Sequence, residues 1–266
     1  MAISLDPVSR PRFYGLTTAG GTRYDTVATV ERGNVLAATV VQTCIRYTAE
    51  TTRCRFCTIE ESLRSGATAQ VKWPEELAEV TRAAVELDGI TRMVLTTGTS
   101  TGRDRGAKHL ARCVAAVRVA VPALPIEVRC EPPQDLAWID ALYDAGADTI
   151  GIYVEALDDA LRRRWTPGKA VVSTAEYERA WMHAVAIFGR GNVSTRLLIG
   201  LGEDPEELIA NAEWLIAMGV YPAVVPYRPV EGSLATEPPP DAAVVDNVTR
   251  RVAAALDIGH LGMEAA

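Results

Sequence analysis

Several features that mark whole classes of proteins are absent from the sequence. No run of Lys or Arg is long enough to follow a phosphate backbone, and the 266 residues carry a formal net charge of −7, so a nucleic-acid partner is not expected. No apolar stretch reaches the length of a transmembrane helix, and the first residues lack the charged start and apolar middle of a signal peptide. We therefore expect a soluble, cytoplasmic protein without a membrane partner.

Residue types with special chemistry are also scarce. Aromatic residues make up 6% of the chain, so the core is expected to consist mainly of Ala, Val and Leu. The three histidines, His109, His183 and His260, share no spacing typical of a metal site. The five cysteines are an odd number in a chain without a secretory signal, which argues against a disulfide framework.

Three of the cysteines, Cys44, Cys54 and Cys57, lie on one loop after strand-forming residues at 35–42. Structural zinc would need a fourth ligand at short spacing, and no second C-x-x-C or His pair follows nearby. A redox pair of Cys54 and Cys57 is a remaining alternative, although it leaves Cys44 without a role. Three thiolates can ligate three irons of a four-iron cluster and leave the fourth open, so the loop favours a catalytic iron–sulfur site.

Downstream of this loop, short β-branched runs alternate with longer helical patterns, which is typical of repeated β-α-β units and a parallel sheet. The length suits one large domain of barrel size or at most two smaller ones. The predicted strands are residues 35–43, 91–96, 126–130, 149–154, 194–199 and 223–226. The predicted helices are residues 74–87, 107–121, 135–145, 175–188, 205–218 and 241–256. The pattern predicts an α/β fold with six parallel strands.

The first 34 residues do not follow this repeat. Two short strands at 14–17 and 26–30 are expected around a turn at Gly20 and Gly21, because paired glycines favour a tight turn. We expect residues 1–34 to form an N-terminal extension or hairpin cap at one end of the barrel. Residues 35–266 are then the main domain.

Polar residues follow several of the predicted strands, where parallel α/β folds place their active sites. The turn TTGTS at 96–100 follows the second strand, and Glu131 and Glu155 follow the third and fourth. The TTGTS segment could be an ordinary strand-to-helix turn, and a single acidic residue at a strand end could only cap the next helix. Two acidic residues at equivalent positions, however, suggest a shared cation-binding cavity. Candidates for substrate contact are Cys130, Glu131, Tyr227 and Arg228.

Taken together, the motifs resemble the radical S-adenosylmethionine superfamily. The motifs are the C-x-aromatic-C ending at Cys57, the TTGTS turn, Glu155, and the segments LLIGLGE and VVPYRPVEGS. The resemblance implies a partial (β/α)6 TIM-like barrel that holds a [4Fe–4S] cluster and S-adenosylmethionine. Reduction would cleave this cofactor to methionine and a 5′-deoxyadenosyl radical, which takes a hydrogen atom from an unknown small-molecule substrate. An electron donor such as flavodoxin or ferredoxin is implied as a partner.

The resemblance also implies roles for individual residues, although none is assigned as the catalytic residue. Cys44, Cys54 and Cys57 would ligate the cluster. The residues implied to bind S-adenosylmethionine are Phe56 at the adenine, Thr97, Gly98 and Thr99 at the methionyl ammonium, Glu155 and Arg196 at polar groups, and Leu198, Gly200 and Glu203 around the adenine. A bidentate guanidinium fork suits Arg196 to a carboxylate.

Two departures from the superfamily pattern stand out. Nine residues separate Cys44 from Cys54, whereas the usual spacing is C-x3-C-x2-C; a longer loop still closes because closure entropy grows slowly with length. The sequence motifs are similar to those of a narrower group, the radical S-adenosylmethionine proteins found beside nitrilases in bacterial gene clusters. The sequence lacks the C-terminal cysteine-rich motif of that group. We expect a truncated or reduced member. An iron–sulfur redox or cluster-scaffold protein without radical chemistry is the alternative.

Overall fold

One curled sheet organises the protein, whose computed structural model describes residues 10–31 and 34–261. In this part of the chain seven strands lie side by side in chain order. The first pairs antiparallel with the second, and each later strand pairs parallel with the one before it. The strands are β1 Thr29–Glu31, β2 Val35–Thr39, β3 Arg92–Thr96, β4 Ile126–Cys130, β5 Thr149–Ile152, β6 Val193–Ile199 and β7 Val220–Pro226. The sheet forms a half-barrel, which confirms the predicted α/β fold and partial barrel.

Helices between the strands cover the outer face of this sheet. Those in the described residues are α1 Tyr24–Val27, α2 Glu61–Arg64, α3 Pro74–Asp88, α4 Ala107–Ala120, α5 Ala137–Asp144, α6 Asp159–Trp165, α7 Thr174–Phe188, α8 Pro205–Met218 and α9 Ala242–Ile258. None of these described helices is both long and apolar enough to cross a membrane.

Side chains alternate between the two faces of each strand, and this alternation separates core from interior. In β4, Ile126 and Val128 are buried in the core beneath the helices. Their neighbours Glu127 and Arg129 point the other way, toward the concave side, and Arg129 lines a cavity there. The helix-covered face thus supplies the hydrophobic core, while the concave face carries polar and charged groups.

Local signals in the sequence explain where the helices begin and end. α8 starts with Pro205 after Asp204, whose carboxylate accepts a hydrogen bond from the Glu206 backbone N–H at 2.9 Å. It ends at Gly219, whose φ of 98° is accessible to glycine without strain. The predicted helix boundaries at this element, 205–218, are confirmed.

Other predicted boundaries were wrong. β2 stops at Thr39 rather than residue 43, because the chain turns there into the cysteine loop. β7 begins at Val220 rather than residue 223; Pro222 lies inside it, and a proline lacks the N–H that a regular strand pattern requires. The short helix α2 was not predicted, whereas the helix end expected at Arg162, Arg163 and Arg164 is present as the last turn of α6.

The amino-terminal prediction also needs correction. Residues 12–15 form a 3-10 helix rather than a strand, and α1 occupies residues 24–27, so that only Thr29–Glu31 is a strand. The turn at Gly20 and Gly21 is confirmed; it is closed by a single antiparallel bridge between Thr17 and Arg23. β1 extends the sheet edge beside β2. The domain division at residue 34 stays a prediction.

Candidate active site

A cavity of about 360 Å³ opens at the carboxyl ends of the parallel strands. The structure brings nearly all the predicted site residues to its wall. Those that line it are Cys44, Cys54, Phe56, Cys57, Thr97, Gly98, Thr99, Cys130, Glu131, Glu155, Arg196, Leu198, Tyr227 and Arg228. Gly200 and Glu203 are not part of this wall.

The amino-terminal end of the cysteine loop lies against the turn after β3. The Gly98 N–H donates to the Val41 carbonyl and the Ile45 N–H donates to the Thr99 carbonyl, both at 2.9 Å. A Cβ on Gly98 would come within 2.1 Å of the Thr43 carbonyl oxygen, which is backbone and cannot rotate away. Gly98 is therefore required for the loop to approach β3.

The rest of the long gap between Cys44 and Cys54 is ordered by contacts with distant segments. Residues 45–47 form a 3-10 helix. The Arg53 guanidinium donates to the carbonyls of Cys57 (2.8 Å) and Gly232 (2.5 Å) and lies 3.9 Å from the centre of the Tyr47 ring. These contacts hold the loop without the usual short spacing of cysteines.

The three cysteines of the loop are free thiols at the cavity wall. Burial raises the pKa of both Cys54 and Cys57, while Lys169 opposes this shift in each case. A bound iron–sulfur cluster would supply the positive metal ions that stabilise the thiolates. The donor set, three thiols that face one cavity, fits a cluster with one open iron. Among residues 10–31 and 34–261, no three His, Cys, Asp or Glu side chains are grouped closely enough to hold a single metal ion.

Glu155 is the centre of a buried charge network that lines the same cavity. It is 3% exposed and has a φ of 72°, a conformation that a non-glycine residue adopts only at a cost. Arg196 donates from Nε and Nη2 to its two oxygens at 2.7 and 2.9 Å, and the Lys169 ammonium donates at 3.3 Å. Burial alone would raise the pKa of Glu155, but the two cations outweigh it and lower the pKa to about 2.

Glu131 is paired with the cysteine loop rather than with β6. It accepts hydrogen bonds from the Arg46 guanidinium at 3.1 Å and from the Thr99 hydroxyl at 2.9 Å. The side chains of Glu131 and Arg46 are 4% and 17% exposed, so this ion pair is largely shielded from water. The expected pair of carboxylates at strand ends is present, but each already has a cationic partner from the protein.

An apolar surface forms another part of the wall. Tyr227 packs against Trp165 with ring centres 5.4 Å apart, and Leu198 and Phe56 adjoin the same cluster. The Tyr227 hydroxyl is buried and has no hydrogen-bond partner in the described part of the chain. Arg228 is exposed, whereas Cys130 is buried, and burial raises the pKa of its thiol to about 12.

Gly200 and Glu203 have a local structural part in the loop after β6. The Glu203 carboxylate accepts hydrogen bonds from the backbone N–H groups of Gly200 and Leu201 at 2.6 and 2.7 Å. Gly200 has a φ of 100° and lies against Pro240. Their predicted contact with adenine stays a prediction.

Four charged or aromatic residues of the wall were missed by sequence reasoning. They are Arg46, Arg129, Tyr153 and Lys169. Lys169 is in a 3-10 helix and reaches the cavity only because this segment packs on the cysteine loop, where the Gly168 N–H donates to the Thr52 carbonyl at 2.9 Å. The alternation in β4 is the one sequence signal that places Arg129 on the concave face.

Comparison with known families now bears on this site. The family model described as "Radical SAM superfamily" matches residues 47–215, more than half of the chain. The chain belongs to the radical S-adenosylmethionine superfamily. The match includes Cys54 and Cys57 and begins three residues after Cys44. Members of this superfamily are enzymes that use a [4Fe–4S] cluster and S-adenosylmethionine, so the predicted enzyme class and cofactors are confirmed.

Curated relatives in this superfamily are longer proteins. Lipoyl synthase of Marinobacter nauticus is 32% identical over 181 residues, which cover 64% of this chain and 47% of that protein. Bacteriochlorophyllide c C-7(1)-hydroxylase of Chlorobaculum limnaeum is 27% identical over 136 residues, covering 49% and 33%. The chain spans about half or less of the length of these relatives.

Solved structures of other members share the fold. The [FeFe]-hydrogenase maturase HydG of Carboxydothermus hydrogenoformans aligns with a TM-score of 0.62 at 18% identity and covers 85% of this chain and 51% of that one. Methylornithine synthase aligns with a TM-score of 0.59 at 17% identity, covering 90% and 71%. At these identities the likeness concerns the half-barrel alone.

Proposed function

We propose that this radical S-adenosylmethionine enzyme cleaves its cofactor reductively and abstracts hydrogen from a small-molecule substrate held in the strand-end cavity. The observation that carries the proposal is that three cysteine thiols line the same cavity as Glu131 and Glu155, which follow β4 and β5, and Arg196 of β6. When bound, the cluster and S-adenosylmethionine supply the electron and the 5′-deoxyadenosyl radical for this chemistry. The protein residues bind, orient and shield the reacting groups.

In this proposal Cys44, Cys54 and Cys57 ligate the cluster. The loop contacts at Gly98 and Arg53 support this role, because they hold the loop that carries the three thiols through one local hydrogen bond and others to distant segments. Cys44 lies before the matched segment of the family model, so its place on the cavity wall is the observation that supports its inclusion.

The remaining wall would bind S-adenosylmethionine. Glu155 stays ionised because of its two cations and can accept from an ammonium or hydroxyl group, while it holds Arg196 in a fixed orientation. Phe56 and Leu198 offer apolar contact for the adenine. Thr97, Gly98 and Thr99 would face the methionyl ammonium, with Gly200 and Glu203 behind the adenine.

Substrate would lie in the same cavity, against the residues at the ends of β4 and β7. Tyr227 supports this placement, since its buried hydroxyl has no hydrogen-bond partner in residues 10–31 or 34–261. This hydroxyl can therefore form a hydrogen bond with a polar group of a ligand. Cys130, Glu131 and Arg228 are the other proposed contacts.

The proposal also includes an electron donor and a gene neighbourhood. A flavodoxin- or ferredoxin-type protein would supply the electron in a cytoplasmic setting. The resemblance to the radical S-adenosylmethionine proteins found beside nitrilases predicts a nitrilase gene near this one, which a survey of the neighbouring genes can check.

Release of 5′-deoxyadenosine tests the proposal. Protein reconstituted anaerobically with iron and sulfide is incubated with dithionite and S-adenosylmethionine, and products are separated by chromatography. We expect 5′-deoxyadenosine and methionine from the wild type and from a Cys113→Ala control, because Cys113 is buried in the core away from the cavity. Cluster-loaded wild-type protein that releases neither product would contradict the proposal.

A further inference from the structure

Arg129 differs from the other cations that line the strand-end cavity. It lies inside β4, two residues before Glu131, so its side chain starts deeper in the half-barrel than the strand ends. Its Nε donates to the Glu127 carboxylate at 2.6 Å. Within residues 10–31 and 34–261, neither terminal nitrogen of the guanidinium has a hydrogen-bond partner. One edge of a rigid, doubly donating fork is therefore available.

Space is present on both sides of this fork. Besides the strand-end cavity, a second cavity of about 270 Å³ lies toward β1 and β2. Arg129 and Thr96 line both cavities and so mark the place where they adjoin. The Arg129 side chain is 32% exposed, and it lines both of these cavities.

The other cations of the strand-end cavity are either paired with a glutamate or exposed to solvent. Arg46 is paired with Glu131, and Lys169 and Arg196 are paired with Glu155. Arg228 is exposed at the rim, where water screens an ion pair. Among these five cations of the described chain, Arg129 is the one that is partly buried and has both terminal nitrogens without a protein partner, whereas Nη2 of Arg46 and of Arg196 already donates to a glutamate.

We propose that Arg129 binds an anionic group of the substrate, a carboxylate or a phosphate, in a bidentate contact where the two cavities meet. This inference rests on the proposed function and assigns its substrate to the class of small anionic molecules. A planar fork matches both anions, and the low-dielectric interior strengthens the contact relative to one at the surface. Glu127 orients the fork through Nε and leaves its outer edge for the ligand.

Arg92 offers a matched control. It donates to the same Glu127 carboxylate at 3.3 Å but lines neither cavity. Arg92→Gln weakens the charge network at Glu127 and leaves the cavity fork in place. Arg129→Gln removes both the network contact and the fork, so the difference between the two variants isolates the fork.

The test measures binding of simple probes to the holoprotein with S-adenosylmethionine present. Succinate, inorganic phosphate and uncharged succinamide are titrated by calorimetry in a buffer without other carboxylates or phosphates. We expect at least one of the two anions to bind the wild type and succinamide not to bind. Arg129→Gln should weaken the anion by about ten- to hundred-fold, as expected for loss of a charge-assisted bidentate contact, and Arg92→Gln by less than about three-fold. The preferred anion then distinguishes carboxylate from phosphate.

Several outcomes would overturn the inference. They are failure of both anions to bind the wild type, equal binding of succinamide, unchanged binding to Arg129→Gln, or equal weakening by Arg92→Gln. Arg129→Lys is a second variant in case Arg129→Gln does not fold; it keeps the charge but not the fork and should weaken the anion by about three-fold or more. Cofactor cleavage by the wild type is scored separately, so failure there identifies a failure of the proposed function instead.

Discussion

The carboxylates of Glu155 and Glu127 lie inside the half-barrel, and each is paired with two cationic side chains. The two carboxylates differ in how many hydrogen bonds they accept from these cations. Glu155, at the strand ends, accepts from both Nε and Nη2 of Arg196 and also from Lys169. Its side chain is 4% exposed. Both oxygens of this carboxylate accept from protein donors, three nitrogens in all.

The deeper network around Glu127 is more open. Glu127 accepts from one nitrogen of Arg129 at 2.6 Å and from Arg92 at 3.3 Å. The Tyr153 ring lies between the two networks, 5.5 Å from the guanidinium carbon of Arg129 and 5.0 Å from that of Arg196. A glutamate between two cations thus fixes the Arg196 guanidinium through two nitrogens at one level and holds the Arg129 guanidinium through one nitrogen at the other.

Removal of the carboxylate charge is the strongest way to separate the two networks. Glu155→Gln leaves the largely buried Lys169 and the partly exposed Arg196 without an anion, and breaking a buried charge pair costs about 3–5 kcal/mol. Glu127→Gln is the matched control and should cost about 1–2 kcal/mol, because the Glu127 side chain is more exposed than that of Glu155, 10% against 4%. Urea unfolding of the cluster-free proteins measures both; equal losses would remove the distinction.

Acid should weaken the network around Glu155 in a defined direction. The folded-state pKa of Glu155 is lowered to about 2, so its contribution to stability is fully present above the ordinary glutamate pKa and is lost as pH falls toward 2. On that shift, on the order of 3 kcal/mol of unfolding free energy is at stake. The stability gap between wild type and Glu155→Gln should therefore be largest above pH 5 and shrink at lower pH. A gap that does not change with pH would contradict the assignment.

Loss of Lys169 should have a smaller effect than loss of Glu155. Lys169→Met removes hydrogen bonds to the Tyr153 carbonyl (2.8 Å) and to Glu155, while Arg196 still neutralises the carboxylate. We expect destabilisation of about 1–3 kcal/mol in urea unfolding. A loss as large as that of Glu155→Gln would mean that Lys169, not Arg196, is the main partner.

The link between the networks is expected to contribute least. The Tyr153 hydroxyl lies 3.4 Å from a Glu127 oxygen, which is long for a hydrogen bond, while its ring contacts both guanidinium groups. Tyr153→Phe keeps the ring and should change the unfolding free energy by about 0.5 kcal/mol or less. A change several times larger would show that the hydroxyl couples the two levels.

Much of the site could be predicted because its signals are local in sequence. The cysteine loop and the acidic residues after β4 and β5 follow strands that β-branched runs reveal. Arg46 and Lys169 could not be placed in this way, since each reaches the cavity by contacts with a distant segment. Arg46, for example, meets Glu131 at a separation of 85 residues.

The amino-terminal correction has a similar cause. The 3-10 helix at residues 12–15 begins where the Asp88 carboxylate accepts from the N–H groups of Arg12 and Phe13, at 2.8 and 3.0 Å. Asp88 is the last residue of α3 and lies 76 residues from Arg12. Because the capping residue is so distant in sequence, residues 12–15 themselves contain no sequence pattern that predicts the 3-10 helix.

Iron and sulfide content after anaerobic reconstitution tests the central claim most directly, that three cysteines of one loop hold the cluster. We expect about four irons per chain in the wild type, with absorbance near 400 nm, and close to none in Cys44→Ala/Cys54→Ala/Cys57→Ala. Cys130→Ala is the control, because that thiol lines the cavity outside the loop, and it should retain the iron. Full iron content in the triple variant would contradict the account.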